Sequence, residues 1–516
     1  MPRSPSPTAI LAGLLVSVGF LGLPPAAKAE DPNIPLTADS KPQPGVPQGE
    51  LIRFDFSTSS VFPGTTRQVT VYVPRQYDPA HPACVYVGQD GVQWKAPTVL
   101  DNLIARHEVP VIIGVFVTPG VVPSADPKGA LSRYNRSFEY DGLGDGYYHL
   151  IVDEILPAVE LRKTTDGRAI HLSNLGNDRA IGGGSSGGIA AFNVAWEHPE
   201  AFSRVISSVG TYIGLRGADR FPTLIRKYEP KPIRVFLQDG SHDLNIYAGD
   251  WWMANQTMER ALQFGGYEVN HSWGEGSHNG KHISAVLPDA MRWVWKDWPA
   301  AVAAGHSENG ALKALLIAGE GWKQENVSGY HNHERPYGPI AVTVHNGNSY
   351  RAVAGNENAI WLTSPSGTKA VVDRNGQPIT ALTASPDQTL LYAAEGHSHW
   401  IESYQIRADG TLSFKQRYYW LHVDDLDDES DATSMCCDGS GWLYVATSLG
   451  VQVCDQAGRV NAILPTPTGR PLSLSFDGPQ HDTLVADCGD AVYSRKLHTV
   501  GVDPAAAPVL PPAPHL

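Results

Sequence analysis

The chain has no excess of positive charge: 39 lysines and arginines stand against 53 aspartates and glutamates over 516 residues, a formal net charge of -14. No basic run occurs, which excludes nucleic acid and anionic membrane surfaces as main partners, because both are held by clustered cations. Cysteine is scarce too. Five cysteines leave at least one unpaired, and their spacings do not match a zinc site. Cys84 falls in an apolar strand-like run, whereas Cys436, Cys437, Cys454 and Cys488 leave room for one disulfide in the C-terminal third. After Leu23 no apolar run is long enough to cross a bilayer, so no membrane span is expected.

What is present starts with an export pattern. Met1-Pro-Arg3, an apolar stretch over 9–23 and Ala27-Lys-Ala29 predict a signal peptide over 1–29 and a periplasmic or secreted protein. Residues 30–49, rich in proline and polar groups, read as a flexible leader.

The length calls for more than one domain. Over 50–298, strand-like runs (69–73, 83–87, 110–117, 180–183, 204–209, 233–237, 267–273) alternate with helical periodicity (96–107, 147–161, 189–198, 251–264, 282–298). That alternation predicts a mostly parallel sheet with helices on both faces. A linker follows over 299–315. From 316 to 505 the strand-like segments are short and separated by Gly, Asp, Asn and Pro turns, as in a propeller. At roughly 40 to 50 residues per blade only about four or five fit, fewer than usual. Residues 506–516 form a proline-rich tail.

The most informative motif is Ile181-Gly-Gly-Gly-Ser-Ser-Gly-Gly188, between a strand-like and a helix-like segment. It meets the nucleophile-elbow spacing G-x-S-x-G twice, once around Ser185 and once around Ser186. A serine hydroxyl needs a histidine to take its proton and a carboxylate to orient that histidine. Both lie downstream in the required order, in Gln238-Asp-Gly-Ser-His-Asp243 and Gly274-Glu-Gly-Ser-His278-Asn-Gly280. Asp243 is the candidate acid, since Asp239 still stands at the strand end. His278 is the candidate base, since His282 opens the next helix; His242 and His271 read as surface or packing residues. An oxyanion needs two backbone donors. Ser186 supplies one if Ser185 is the nucleophile, and Val92, in the loop after an early strand, is the candidate for the other.

The stretch from Ser60 to Trp298 resembles the enterochelin-esterase-like esterases, related to carbohydrate esterase family one. The resemblance is carried by Phe62-Pro-Gly-Thr-Thr-Arg67, Tyr72-Val-Pro74, Gln89-Asp-Gly91, Arg136-Ser-Phe-Glu-Tyr140, Ile155-Leu-Pro-Ala-Val159, the elbow and the two downstream motifs. It implies an α/β-hydrolase fold, no cofactor, and ester hydrolysis through an acyl-serine. In that family x-Gly-Gly follows the serine, which aligns Ser185 with the nucleophile. The implied substrates are siderophore-type or carbohydrate-linked acyl esters, small or polysaccharide-borne. Arg67, Arg133 and Arg136 are candidates to meet an anionic substrate, and Trp94, Trp251 and Trp252 to stack on a sugar.

The C-terminal half resembles the gluconolactonase and senescence-marker-protein propellers, through Ser385-Pro-Asp-Gln-Thr-Leu-Leu-Tyr392, Leu443-Tyr-Val-Ala-Thr447 and the segment 450–458. That family's cation ligands are mostly missing. The Asn-Gly expected near Thr380 reads Thr-Ala, the late Asp-Gly falls at Thr433-Ser434 with Asp431 displaced, and only Glu334 matches. The half therefore reads as a degenerate propeller, with no metal site assigned. The acidic run 424–431 and the pairs His331/His333 and His397/His399 read as solvated loops. A sugar-lactone hydrolase or a binding scaffold built on this half is the alternative to the esterase.

Overall fold

The computed structural model describes residues 34–326, 340–353, 358–423 and 429–514. The first half is built on eight strands: β1 (Glu50–Phe56), β2 (Arg67–Val73), β3 (Cys84–Gln89), β4 (Ile112–Val117), β5 (Arg179–Gly184), β6 (Arg204–Ser208), β7 (Arg234–Gly240) and β8 (Glu268–Gly274). They lie in the order β1-β2-β4-β3-β5-β6-β7-β8. β2 is antiparallel to both its neighbours, and every later pairing is parallel. β3, β4, β6 and β7 are buried at every position, as strands covered on both faces must be. β1 instead alternates half-buried and exposed residues, which suits a sheet edge.

Four helices matter for the site: α1 (Ala96–Ala105), α2 (Ser186–Glu197), α3 (Trp251–Phe264) and α4 (Lys281–Val294). Successive strand residues point to opposite faces, so the sheet feeds two cores. Val85 and Val87 pack with Ile189, Phe192 and Met258 on the α2/α3 side. Tyr86 packs with Leu100, Ile283 and Met291 on the α1/α4 side. The helix expected over 147–161 is broken into Gly146–His149, a π-helical turn Leu150–Ile155 and Leu156–Glu160. Pro157 has no N–H to donate to the carbonyl four residues before it, so the regular ladder cannot run through.

Arg67 is not available to a substrate. Its guanidinium pairs bidentately with Glu139 at 2.8 and 3.0 Å, both side chains fully buried, and Glu139 also accepts from the Gly120 N–H. This pair ties β2 to the short helix Arg136–Tyr140. Removing one partner strands the other charge in the interior, so Arg67→Ala is expected to lower stability by about 3–5 kcal/mol in chemical denaturation. A loss below about 1 kcal/mol would show that the carboxylate finds another partner.

The leader is pinned from Ala38 onward rather than free. Asp39 bonds Arg106 at 2.7 Å and Arg292, and its carbonyl accepts from Asn102, which anchors the segment across α1 and α4.

The second half contains four four-stranded antiparallel sheets among the described residues. They run Ile340–Thr343 to Lys369–Arg374, Ile379–Ala384 to Leu412–Trp420, Ser434–Cys437 to Val460–Leu464, and Ser473–Asp477 to Val492–Lys496. The last is completed by Lys323–Gln324, which pairs with the final strand. This is a four-bladed, propeller-like region, as the blade arithmetic anticipates. The disulfide does not form: all five cysteines are free. Cys437 and Cys454 each pair with Leu443 from opposite sides, so a strand separates them by about 9–10 Å, beyond disulfide reach.

The two halves are joined by Arg495, which forks onto Glu229 at 2.6 and 2.8 Å, and by a bridge from Tyr228 to Ile463. The linker helps: Asn309 donates to the carbonyls of Arg226 and Asn461, one on each side.

Candidate active site

β5 enters the elbow and α2 leaves it, and Ser185 between them has φ 58° and ψ -123°. A residue with a Cβ holds that conformation only when its surroundings enforce it, at a cost of about 1–3 kcal/mol. The glycines make it possible. A Cβ on Gly183 would lie 2.4 Å from the Gly187 carbonyl oxygen, and one on Gly188 would lie 2.7 Å from Ser207 Oγ. Strand and helix therefore meet backbone to backbone, and the Ser185 hydroxyl is lifted clear. Ser186 is instead the first residue of α2 and is buried.

The two downstream motifs meet in the same way. A Cβ on Gly240 would fall 2.0 Å from the Gly276 carbonyl oxygen, so the loops after β7 and β8 stack directly. The N–H groups of Ser241 and His242 donate to the Gly274 and Gly276 carbonyls. The contact sets Asp243 beside His278, with Oδ1 of the carboxylate 2.5 Å from Nδ1. His278 Nε2 lies 2.8 Å from Ser185 Oγ. Asp243 has a fully buried side chain, and its Oδ1 also accepts the Leu244 N–H at 2.6 Å. An ionised carboxylate only accepts, which puts the imidazole proton on Nδ1 and leaves Nε2 to accept from the serine.

The other histidines are employed elsewhere. His282 is buried in α4 between Gln238 and Ser272, and burial holds its imidazole below the usual histidine range. His242 bonds the Glu275 carbonyl, and His271 bonds Glu259 while stacking on Trp273.

The turn after β3 leans on the elbow. A Cβ on Gly187 would meet Gln89 Cβ at 3.0 Å and Asp90 Oδ2 at 3.2 Å. Asp90 and Gly91 spend their N–H groups on Tyr140 Oη and the Val117 carbonyl, so Val92 is the next donor along the turn. Ser186, opening α2, has no intrahelical acceptor for its N–H. Arg136 forks onto Asp90 at 2.7 and 2.9 Å and bonds the Gly184 carbonyl, so it braces the turn and the elbow together. Arg133 is exposed and bonds Asn135. Of the tryptophans, Trp94 lies against Gly184 and Gly280, and Trp252 packs edge-on to Trp273.

Thr211 escaped the sequence reading, and Trp251 was read there only as a candidate sugar platform. Thr211 Oγ1 lies 3.4 Å from Ser185 Oγ and accepts from the Trp251 indole at 3.3 Å. Trp251 itself is buried with its ring 5.6 Å from that of His278, edge to face. The available signal was position: both follow a sheet strand on the same side as the elbow.

In the propeller, His397 bonds Glu429, His399 packs on Trp400 and Trp420, and Asp431 bonds Arg470. Glu334, His331, His333 and residues 424–428 lie outside the described residues.

A doubly covered sheet that presents a strained serine, an imidazole and a buried carboxylate beyond its strand ends defines an α/β-hydrolase. The chain belongs to the family described as "Putative esterase", whose sequence model matches residues 59–320. A second model, "SMP-30/Gluconolactonase/LRE-like region", matches residues 334–486. Similar solved structures include a ferulic acid esterase, at 19% identity over 48% of this chain and 99% of that one, with TM-score 0.35. An enterobactin esterase from Shigella flexneri is 18% identical over 49% of this chain and 61% of that one, with TM-score 0.38. A gluconolactonase from Xanthomonas campestris is 20% identical over 30% of this chain and 56% of that one, with TM-score 0.27. The chain thus spans less than two thirds of the last two. No curated protein matches.

Proposed function

We propose that this chain is an exported serine carboxylesterase that uses Ser185 as nucleophile, His278 as base and Asp243 as the acid that holds it. The observation that carries the reading is the 2.8 Å contact from His278 Nε2 to the hydroxyl of a serine at positive φ. Ser185 Oγ attacks the ester carbonyl as its proton passes to His278 Nε2. The imidazolium that forms keeps its Nδ1–H on Asp243. The tetrahedral oxyanion is met by the N–H groups of Ser186 and Val92. On collapse His278 returns the proton to the leaving alcohol, and water repeats the sequence to free the acid.

The substrate class is a siderophore-type or carbohydrate-linked acyl ester, small or polysaccharide-borne, a reading supported by the motifs shared with the enterochelin-esterase-like proteins. Export is supported by the signal pattern over 1–29. The propeller is read as non-catalytic, which the engagement of Asp431 by Arg470 supports. The test is labelling by a fluorophosphonate, which phosphonylates an activated serine with loss of fluoride. Labelling is expected in the mature chain and in Ser186→Ala but not in Ser185→Ala. Labelling that survives in Ser185→Ala would remove the assignment.

A further inference from the structure

A second carboxyl lies beside the first. Asp239, the penultimate residue of β7, is completely buried, and its Oδ1 accepts the N–H of Gly240 at 2.6 Å. Its other neighbours within hydrogen-bonding range are Asp243 from the following loop and Asn255 from α3. Asn255 is also completely buried and spends both amide hydrogens, on the Gly210 and Trp251 carbonyls at 2.9 and 3.0 Å. Asp239 Oδ2 and Asp243 Oδ2, on neighbouring carboxyls, are both buried with no hydrogen-bond donor, and Asn255 Oδ1 is likewise unpartnered.

Such a group of acceptors is unstable unless a proton lies among them. Two adjacent buried carboxylates repel, and each unsatisfied oxygen carries a desolvation penalty. We infer that Asp239 is a positioning residue whose neutral carboxyl donates its O–H to Asp243 Oδ2, fixing the carboxylate that holds His278. This rests on the reading of Asp243 as the partner of His278. Burial, with the hydrogen bond and charge of Asp243, pushes the Asp239 carboxyl well above the usual carboxylate range, which favours the protonated form. Oδ1 of Asp243 then takes His278 and Leu244 while Oδ2 takes Asp239, and the pair carries a single negative charge.

Asparagine at 239 reproduces this arrangement. Its carbonyl accepts from Gly240, and its amide can donate to Asp243 Oδ2 as the neutral carboxyl does. Alanine removes the donor. The sign of the stability effect follows from proton binding. The unfolded chain ionises Asp239 near the usual carboxylate value of about 3.9, whereas the folded chain keeps the proton to a higher pH. Folding therefore takes up a proton between these limits, and stability falls as pH rises through them. Asp239→Asn cannot ionise and escapes that loss.

The experiment compares the wild type with Asp239→Asn, Asp239→Ala and Asp243→Asn, using an aryl acetate for kinetics and melting temperatures from pH 5 to 9. The asparagine variant is expected to stay within about threefold of wild type in kcat/KM. Its melting temperature should gain on wild type steadily as pH rises. The alanine variant is expected to lose about a hundredfold in kcat at nearly constant KM, since a carboxylate misplaced by about 1 Å misaligns the base. An asparagine variant as inactive as Asp243→Asn would overturn the inference, because Asp239 would then be needed as an anion. So would an alanine variant within threefold of wild type, or a melting difference independent of pH. If the alanine variant does not fold, the asparagine variant and the melting series decide. An Asp243→Asn variant with full activity would instead overturn the reading of Asp243, whatever the Asp239 variants do.

Discussion

Replacing Ser185 by alanine is expected to cut ester turnover by about a million-fold in kcat while leaving the fold in place. The magnitude is that of removing the nucleophile from a preassembled serine, imidazole and carboxylate, where the remaining groups still bind and polarise the ester. The substitution keeps the Cβ, so the elbow conformation, set by the close approach of Gly183 to Gly187, is undisturbed. Ser186→Ala is the matched control. Its role in the scheme is played by the backbone N–H, and its hydroxyl lies toward the buried Asp141 rather than toward His278. Initial rates on an aryl acetate read both variants. Turnover within tenfold of wild type in Ser185→Ala would end the assignment.

The second large effect is expected at His278. With alanine there, Ser185 loses the base at 2.8 Å, and its hydroxyl neighbour Thr211, 3.4 Å away, cannot act as a base at neutral pH. The loss is again about a million-fold, because serine and histidine act as one unit. The double variant Ser185→Ala/His278→Ala should therefore be no slower than either single one. Losses that multiply instead would show that the two residues contribute independently, and the proton relay between them would fall.

How much of this was legible follows from how local each feature is. The elbow, the alternation of strand and helix and the order of serine, carboxylate and histidine are local patterns, and each appears in the structure where the pattern lies. The choice between Ser185 and Ser186 rested on the family resemblance, in which x-Gly-Gly follows the serine, and not on the glycine spacing. Both meet the glycine spacing, and only the backbone shows that φ is positive at the first while the second begins α2. Arg67 is the opposite case. As a motif residue it suggested anion recognition, but its guanidinium is closed off by Glu139, 72 residues away. Arg136, four residues from Tyr140 in the same motif, braces the turn after β3 instead of facing a ligand. The cysteines behave alike: their spacing allowed a bridge, but all are free, and the strand register puts Leu443 between Cys437 and Cys454.

The sequence by itself determined the chemistry on offer: a glycine-framed serine pair, then a carboxylate and an imidazole after successive strands. Only the tertiary structure decided which groups act together. The paired residues lie 93 and 35 positions apart, and they meet because Gly240 and Gly276 let two loops touch while Gly183 and Gly187 expose Ser185. It also separated Asp239 from Asp243, which the sequence offers as near equals. One is sealed in the interior, and the other reaches an imidazole, a difference in surroundings that only the fold creates.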